Sequence, residues 1–427
     1  MDSHSLWIIA AAILAALASG LIGTFLVVRK MAMLGDAISH AVLPGIAIAF
    51  LLSGSLHSLP MFIGAAVFGL LTAFLVEYLH RRWRVQEDAS MGIVFTALFA
   101  IGVLLISYFS GQTDLDQECV LYGEIAYVPF DILYLGEREM GPRPVWILAL
   151  VLLVNILFIV LLYKELKITS FDPALAVTLG INATVVHYLL MAAVSLTSVA
   201  AFESVGAILV VALLIIPGAS AALWTHHLGN MLFIAAVNGV LAATLGYYLA
   251  AWTDTSIAGA ITVVLGVLFL FSFLFGRRQG VINRWYSRYQ MRQQTYRDHI
   301  LLALQRRQRS LTLPELLRLT GDTAPSLRRA LRALRSKKMI IRHQAAYSLT
   351  PEGAIEARHK LRAHRLWEQF MHELGLPEDH VHDPADMAEH FLDYETQKRL
   401  AASLNESRSD PHGRQIPPLT DEAENNN

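Results

Sequence analysis

Apolar residues form long, nearly unbroken runs over the first two-thirds of the chain and short periodic ones over the last third. Nine runs are long enough to cross a bilayer as helices: 6–28, 35–52, 60–79, 90–109, 145–163, 182–200, 205–224, 230–251 and 256–275. The run at 35–52 is the least apolar, because Asp36, His40 and Pro44 interrupt it. From residue 295 the pattern changes to helix, helix, turn, helix and a short hairpin. "TLPELLRLTG" closes on Gly321, "APSLRRALRALRSKKM" follows, and "IIRHQAAYSLT" alternates as a two-stranded wing. Further helix is expected to 403, and the polar, proline-bearing tail 404–427 is expected to be disordered. The pattern predicts a transmembrane domain over 1–280, a basic aromatic juxtamembrane linker over 281–294, and a winged-helix and helical domain over 295–403.

Composition agrees. The 427 residues are 55% hydrophobic and 16% charged, and the mean hydropathy of +0.46 is too high for an ordinary soluble protein. The net charge of −1 conceals a split: 9 Lys+Arg stand against 16 Asp+Glu in residues 1–276, and 25 against 19 beyond them. Arg29/Lys30, Arg81/Arg82/Arg84, Lys164/Lys167 and Arg277/Arg278 fall on alternate connections, which the positive-inside rule assigns to the cytoplasm. An odd number of spans then puts the N-terminus outside and the domain after residue 277 inside, with the chain in a bacterial cytoplasmic (inner) membrane. The stretch before Leu6 has no cation, so residues 6–28 read as a retained span and not a signal peptide. The outer loop 110–143 is acidic, either as a solvated surface or as a lure for cations. Cys119 is the only cysteine, so no disulfide or thiolate cluster forms within the chain. No G-x-x-x-x-G-K-[ST] run occurs, so no P-loop binds ATP here, and the chain is expected to be a transporter subunit and not an enzyme.

Ionisable residues inside a span are expensive and point to function. Asp36 and His40 lie one helical turn apart on one face. At about 1.5 Å rise per residue from Lys30, His40 is about 15 Å deep, near mid-bilayer. One carboxylate and one imidazole suit Mn²⁺, Zn²⁺ or Fe²⁺, and a second copy across a dimer axis would complete four ligands. His187, Asn155 and Asn238 are expected to make helix–helix hydrogen bonds. "VVRKMAMLGDAISHAVLPGIAIA", "ELKITSFDPALAVTLGIN" and "VGAILVVALLIIPGASA" resemble, in order, three signatures of the permease subunits of manganese/zinc/iron ABC importers. The resemblance covers about residues 6–276. It implies metal ligands at Asp36 and His40, a second permease (identical or a paralogue), cytoplasmic ATPase subunits and an extracytoplasmic metal-binding protein. It also implies that the loop with Phe171, Asp172 and Pro173 meets the ATPase. By the residues alone, Asp172 is suited to cap a short helix, with Pro173 at its first position.

In the last third, Arg328, Arg329, Arg332 and Arg335 line the helix that a winged helix would offer to DNA. Two readings stand: phosphates of a major groove, or a basic face against solvent or anionic lipid. "HRLWEQFMHELGLPEDHVHDPADMAEHFLDYETQKRL" sets His364 and Glu368 one turn apart on one helix, and Asp386, Glu389 and His390 on one face of another, with His382 between. This stretch and the winged helix before it resemble the metal-dependent repressors of the diphtheria-toxin and manganese repressor family, over about residues 295–400. The resemblance implies sensor ligands at His364, Glu368, His382, Asp386, Glu389 and His390, with His299 near where the first helix supplies others. A carboxylate at Asp386, where iron-sensing members carry cysteine, favours Mn²⁺. Pro384 departs from the acidic residue of some members. The expected function is a permease importing Mn²⁺, or else Zn²⁺ or Fe²⁺, fused to a cytoplasmic metal sensor that throttles it. The alternatives are a membrane-tethered, metal-dependent transcription regulator and a permease for metal chelates.

Overall fold

A computed structural model describes residues 3–53, 58–109, 125–135, 138–377, 380–381, 385, 388, 390–404 and 409–418. The chain divides into two compact units, Met1–Arg284 and Trp285–Asn427.

The first unit runs α1 (Ser3–Val28), α2 (Ala32–Ala41), α3 (Leu43–Ser53), α4 (Ser58–Trp83) and α5 (Glu87–Phe109). An antiparallel hairpin, β1 (Ile132–Leu135) and β2 (Arg138–Pro142), precedes α6 (Arg143–Leu161), α7 (Tyr163–Phe171) and α8 (Pro173–Thr178). Four long helices close it: α9 (Ala183–Val205), α10 (Ala207–Trp224), α11 (Leu228–Thr253) and α12 (Ile257–Phe275). Among the described residues nine segments are long and apolar enough to cross a membrane, with α2 and α3 together making one of them. Of the acidic loop, residues 110–124 and 136–137, with Cys119, lie outside the described residues.

Burial separates centre from rim. Two-thirds of the apolar window of α1 and of α9 (67%) is buried, against 22% for α6 and α12, whose outer faces are the apolar surface a bilayer covers. Lipid tails are as apolar as leucine, so helices here associate through close packing and not through water exclusion. The middle of the buried face of α1 is mostly small, with Ala11, Ala12, Ala15, Ala16, Ala18, Ser19, Gly20 and Gly23, before Ile22, Phe25 and Leu26 fill its end. A Cβ on Gly23 would fall 1.8 Å from the Leu214 carbonyl oxygen of α10, so the two backbones touch. Gly45 of α3 and Gly64 of α4 meet the same way; a Cβ on either would be 2.3 Å from the other's carbonyl oxygen.

Several polar groups in the spans are satisfied locally, whereas the Ser19, Ser198 and Ser220 hydroxyls are buried without a hydrogen bond among the described residues. The hydroxyls of Thr24, Ser39, Thr72, Thr197 and Ser204 each donate to the carbonyl one turn earlier, at 2.7–3.1 Å. Asn155 of α6 donates to Thr197 Oγ1 of α9 (2.8 Å) and to the Ala18 carbonyl of α1 (3.3 Å), the interhelical bonding its sequence context predicts. Asn238 differs: its amide nitrogen is buried without a hydrogen bond among the described residues.

The second unit hangs on α13 (Val281–Arg307), followed by β3 (Leu311–Thr312), α14 (Leu313–Thr320), α15 (Ala324–Ser336), β4 (Ile340–His343), β5 (Ala346–Leu349), α16 (Pro351–Glu373) and α17 (Tyr394–Ser403). The strands form an antiparallel sheet in the order β3-β5-β4. Ile300, Leu301 and Leu304 of α13 pack with Leu316, Leu327, Leu331 and Leu334 in one core. A capping box starts α14, in which the Thr312 N–H and hydroxyl both bond the Glu315 carboxylate and hold its pKa down to about 2. Gly321 ends α14 with φ +70°, which favours glycine.

The juxtamembrane stretch 281–294 forms the first half of α13, a helix from 281 to 307. One expectation changes here. Part of the tail read as disordered is folded: residues 409–418 lie against α16 and α17. Ile416 packs with Leu366, Leu400 and Leu404, and buried Asp410 pairs with Arg365 at 3.7 Å.

Candidate functional site

The helix carrying Asp36 and His40 is interrupted beside them, with α2 ending at Ala41 and α3 starting at Leu43. Pro44 has no N–H to give the His40 carbonyl four residues earlier, which breaks the ladder at the imidazole. His40 Nε2 lies 3.4 Å from Asp36 Oδ1, and both side chains are about one-third exposed, at 34% and 30%. Rings of Phe95 and Phe99 from α5 flank the imidazole, with centroids 6.0 and 5.8 Å away. Asp36 also faces a cavity of about 410 Å³ shared with Met33, Asp88, Met91 and Phe95. The pair is accessible, oriented and made of a hard oxygen and a borderline nitrogen, the donor set of a first-row divalent cation.

The basic end of the bundle holds a polar cluster. Arg29, directly after α1, donates from Nε to Ser170 Oγ (3.0 Å) and from Nη2 to Thr169 Oγ1 (2.8 Å) on α7. Burial lowers its pKa to about 10 while the Glu77 charge raises it, so it stays cationic at neutral pH. Lys30 follows with φ +63°, turning the chain sharply into α2, so that Arg29 ties α7 to the start of the Asp36 helix. Beyond α7, Asp172 Oδ1 accepts the Leu175 N–H at 2.9 Å and Pro173 occupies the first turn of α8. Phe171, Leu175 and Val177 are left exposed there, at 52%, 48% and 65%. Next to Arg29, Glu77 of α4 pairs with His187 Nε2 of α9 (2.5 Å) and with Arg81, beside a cavity of about 310 Å³ that Pro173 also lines. Sequence reasoning gave Arg29 only a role in orientation and passed over Glu77. The available signal was an acid inside the α4 run, four residues before Arg81.

In the second unit His364 Nε2 lies 3.2 Å from Glu368 Oε1 along α16, with side chains 2% and 1% exposed. His390 Nδ1 lies 3.0 Å from Asp298 Oδ2 of α13, and the Lys360 ammonium approaches the same oxygen at 3.4 Å. Asp298 is a buried acid that sequence reasoning missed in favour of its neighbour His299. Its position on the face of Leu301 and Leu302 was the clue. His299 turns to Asp322 (3.2 Å), with its ring centroid 5.5 Å from that of His390. The expected ligands His382, Asp386 and Glu389, and Pro384, lie outside the described residues. Among the described residues no three His, Cys, Asp or Glu side chains converge as a metal-binding group. The buried imidazoles and carboxylates still fit Mn²⁺, Fe²⁺ or Zn²⁺, with Lys360 supplying a cation at Asp298. Arg328, Arg329 and Arg332 project outward from α15, and Arg329 Nη1 donates to the Tyr289 hydroxyl of α13 at 3.1 Å.

Comparison with known proteins bears on both units. Residues 1–276 match the model of the ABC 3 transport family, and residues 350–418 match that of the iron dependent repressor, metal binding and dimerisation domain. The manganese transport system membrane protein MntD of Bacillus subtilis is 51% identical over 66% of this chain and 95% of its own length. The zinc transport system membrane protein TroD of Treponema pallidum is 38% identical over 82% of this chain and 97% of its own. Among solved structures, PsaBC from Streptococcus pneumoniae in complex with Fab aligns with a TM-score of 0.55 at 33% identity, covering 65% of this chain and 94% of that one.

Two outcomes follow from the geometry. Arg29→Ala removes two charged hydrogen bonds, worth about 1.5–3 kcal/mol each, and amide exchange in α7 should quicken while that of α1 is unchanged. Lys360→Met, read in an Asp36→Ala background, removes the ammonium that contends for Asp298. Mn²⁺ titration of the full chain should then show roughly tenfold tighter binding; unchanged affinity would mean that Lys360 does not compete.

Proposed function

From the premise that the chain belongs to the ABC 3 transport family, we propose that it is the membrane permease of an importer for a divalent transition metal, Mn²⁺ first among them. The observation that carries this reading is the Asp36/His40 pair beside the Pro44 break: two oriented, accessible donors within an apolar span. The donor types suit Mn²⁺ and Zn²⁺ alike. The relatives divide the same way, MntD belonging to a manganese and TroD to a zinc transport system, and the higher identity to MntD favours manganese.

In this reading the metal is cargo. It arrives from an extracytoplasmic binding protein and rests between Asp36 and His40. A second permease subunit offers its own pair, making four donors in a site still loose enough to release. Energy comes from ATPase subunits at the basic end, which the positive-inside rule makes cytoplasmic. The exposed Phe171, Leu175 and Val177 around the Asp172 cap are suited to receive them. Motion of α7 reaches α2 through Arg29, whose two hydroxyl partners lie just before the docking loop and whose main chain leads into the Asp36 helix. Coupling of this kind needs a rigid, hydrogen-bonded element with two positions, and a buried guanidinium fork supplies one.

The second unit acts as a metal sensor on the cytoplasmic side. His364, Glu368, Asp298 and His390, with His382, Asp386 and Glu389 of the intervening segment, would hold the regulatory ion. Filling that set displaces Lys360 from Asp298 and changes the packing of α13, the helix that follows the last span in sequence.

In proteoliposomes of the assembled importer, Asp36→Ala or His40→Ala should lower Mn²⁺ uptake roughly 100-fold with unchanged membrane insertion. Retained uptake would remove the pair from the path and favour a chelate as cargo. With residues 281–427 deleted, uptake should continue and lose its inhibition by Mn²⁺ on the cytoplasmic side. Inhibition equal to that of the full chain would end the sensor reading and leave the permease reading intact.

A further inference from the structure

Among the described residues, one side-chain hydrogen bond ties the first half of α13 to the rest of the second unit. From Trp285 to Arg292 every side chain is exposed, including Trp285 at 67%, Tyr286 at 53% and Met291 at 50%. Helical spacing puts Trp285, Arg288, Tyr289 and Arg292 on one face. Trp285 and Tyr289 stack there, with ring centroids 6.0 Å apart. The hydrogen bond comes from Arg329 of α15, whose guanidinium donates to the Tyr289 hydroxyl at 3.1 Å. The outward side of α15 adds Arg332 beside Arg329, while Leu327, Leu331 and Leu334 hold its other side in the core. No Asp or Glu occurs in residues 285–297 or 323–338. The two helices thus present one surface of arginines interleaved with aromatic rings and without a carboxylate.

We propose that this surface docks on anionic lipid headgroups of the membrane that the first unit spans, so that the helix a winged helix would offer to DNA serves here as a bilayer contact. Charge is the first argument, since a carboxylate-free cluster of arginines complements the phosphates of an anionic leaflet. The aromatic rings are the second. Exposed Trp and Tyr gain nothing from a phosphate backbone in water, whereas the headgroup zone favours their amphipathic rings. Geometry is the third. The Arg329 guanidinium, one of the cations α15 would offer to a groove, is already given to the Tyr289 hydroxyl of α13. Covalent tethering is the fourth. Trp285 follows the end of the last span, Phe275, by ten residues, which keeps the surface at a high effective concentration near the bilayer. Sensor occupancy can then be relayed as docking or release of a face on the helix that joins the two units.

Amide hydrogen exchange of the full chain in nanodiscs tests this, with phosphatidylcholine alone compared with phosphatidylcholine mixed with phosphatidylglycerol. Exchange in 285–292 and 324–336 should slow by about fivefold or more in the anionic discs, and high salt should reverse this. Arg329→Gln with Arg332→Gln should abolish the difference and leave exchange of α16 unchanged, which separates lost docking from lost folding. Equal exchange in both lipids would overturn the proposal. So would protection that appears only when duplex DNA is added to neutral discs, which would return α15 to nucleic acid.

Discussion

The structure of the first unit depends on how a hydrocarbon layer treats groups that need water. A polar atom there gains by finding a partner in the protein or by serving a passing ion. Several serine and threonine hydroxyls bond within their own helices, the Asn155 amide nitrogen bonds across three, and Glu77 and His187 pair where α4 and α9 meet. Asp36 and His40 are treated differently. They remain one-third exposed beside a proline that breaks the helix, and the nearest rings, Phe95 and Phe99, orient the imidazole without sealing it. Side chains kept only for packing would sit in the interior as Asn155 does. The close backbone contacts at Gly23 and at Gly45 with Gly64 let the other helices pack tightly enough to hold one broken helix in place.

Much of this was legible in the chain, for physical reasons. Span lengths follow from bilayer thickness, so the apolar runs located the spans to within a few residues, and the Asp172–Pro173 cap announced its own geometry. Sequence could not tell which polar residues meet across the fold. Arg29 looked like one more cation on an inner loop, yet its partners are hydroxyls some 140 positions away. Asp298 was hidden by its neighbour His299, since one helical step decides which of the two faces the core and only packing fixes that step. The tail misled by composition: a polar, proline-bearing segment still folds when one isoleucine and one buried aspartate find places on α16.

The two units use the same donor types at opposite depths, and depth matches the task proposed for each. On the proposed transport path, the carboxylate and imidazole are one-third exposed, which would let a cation exchange water for ligands and back again at little cost. In the sensor, His364 and Glu368 are almost wholly buried, and Asp298 and His390 nearly so, with an ammonium beside one carboxylate. Ligands already stripped of water gain more from an entering cation and release it more slowly, which suits a site that reports concentration over one that passes ions along. Linkage adds a constraint: if a filled sensor disfavours one conformation of the permease, that conformation weakens the sensor's hold by the same factor. If the second unit is the sensor proposed, transporter and sensor on one chain cannot be tuned separately. In that reading a change that tightened Asp298 on an ion would also shift the resting balance of a path through Asp36 and His40.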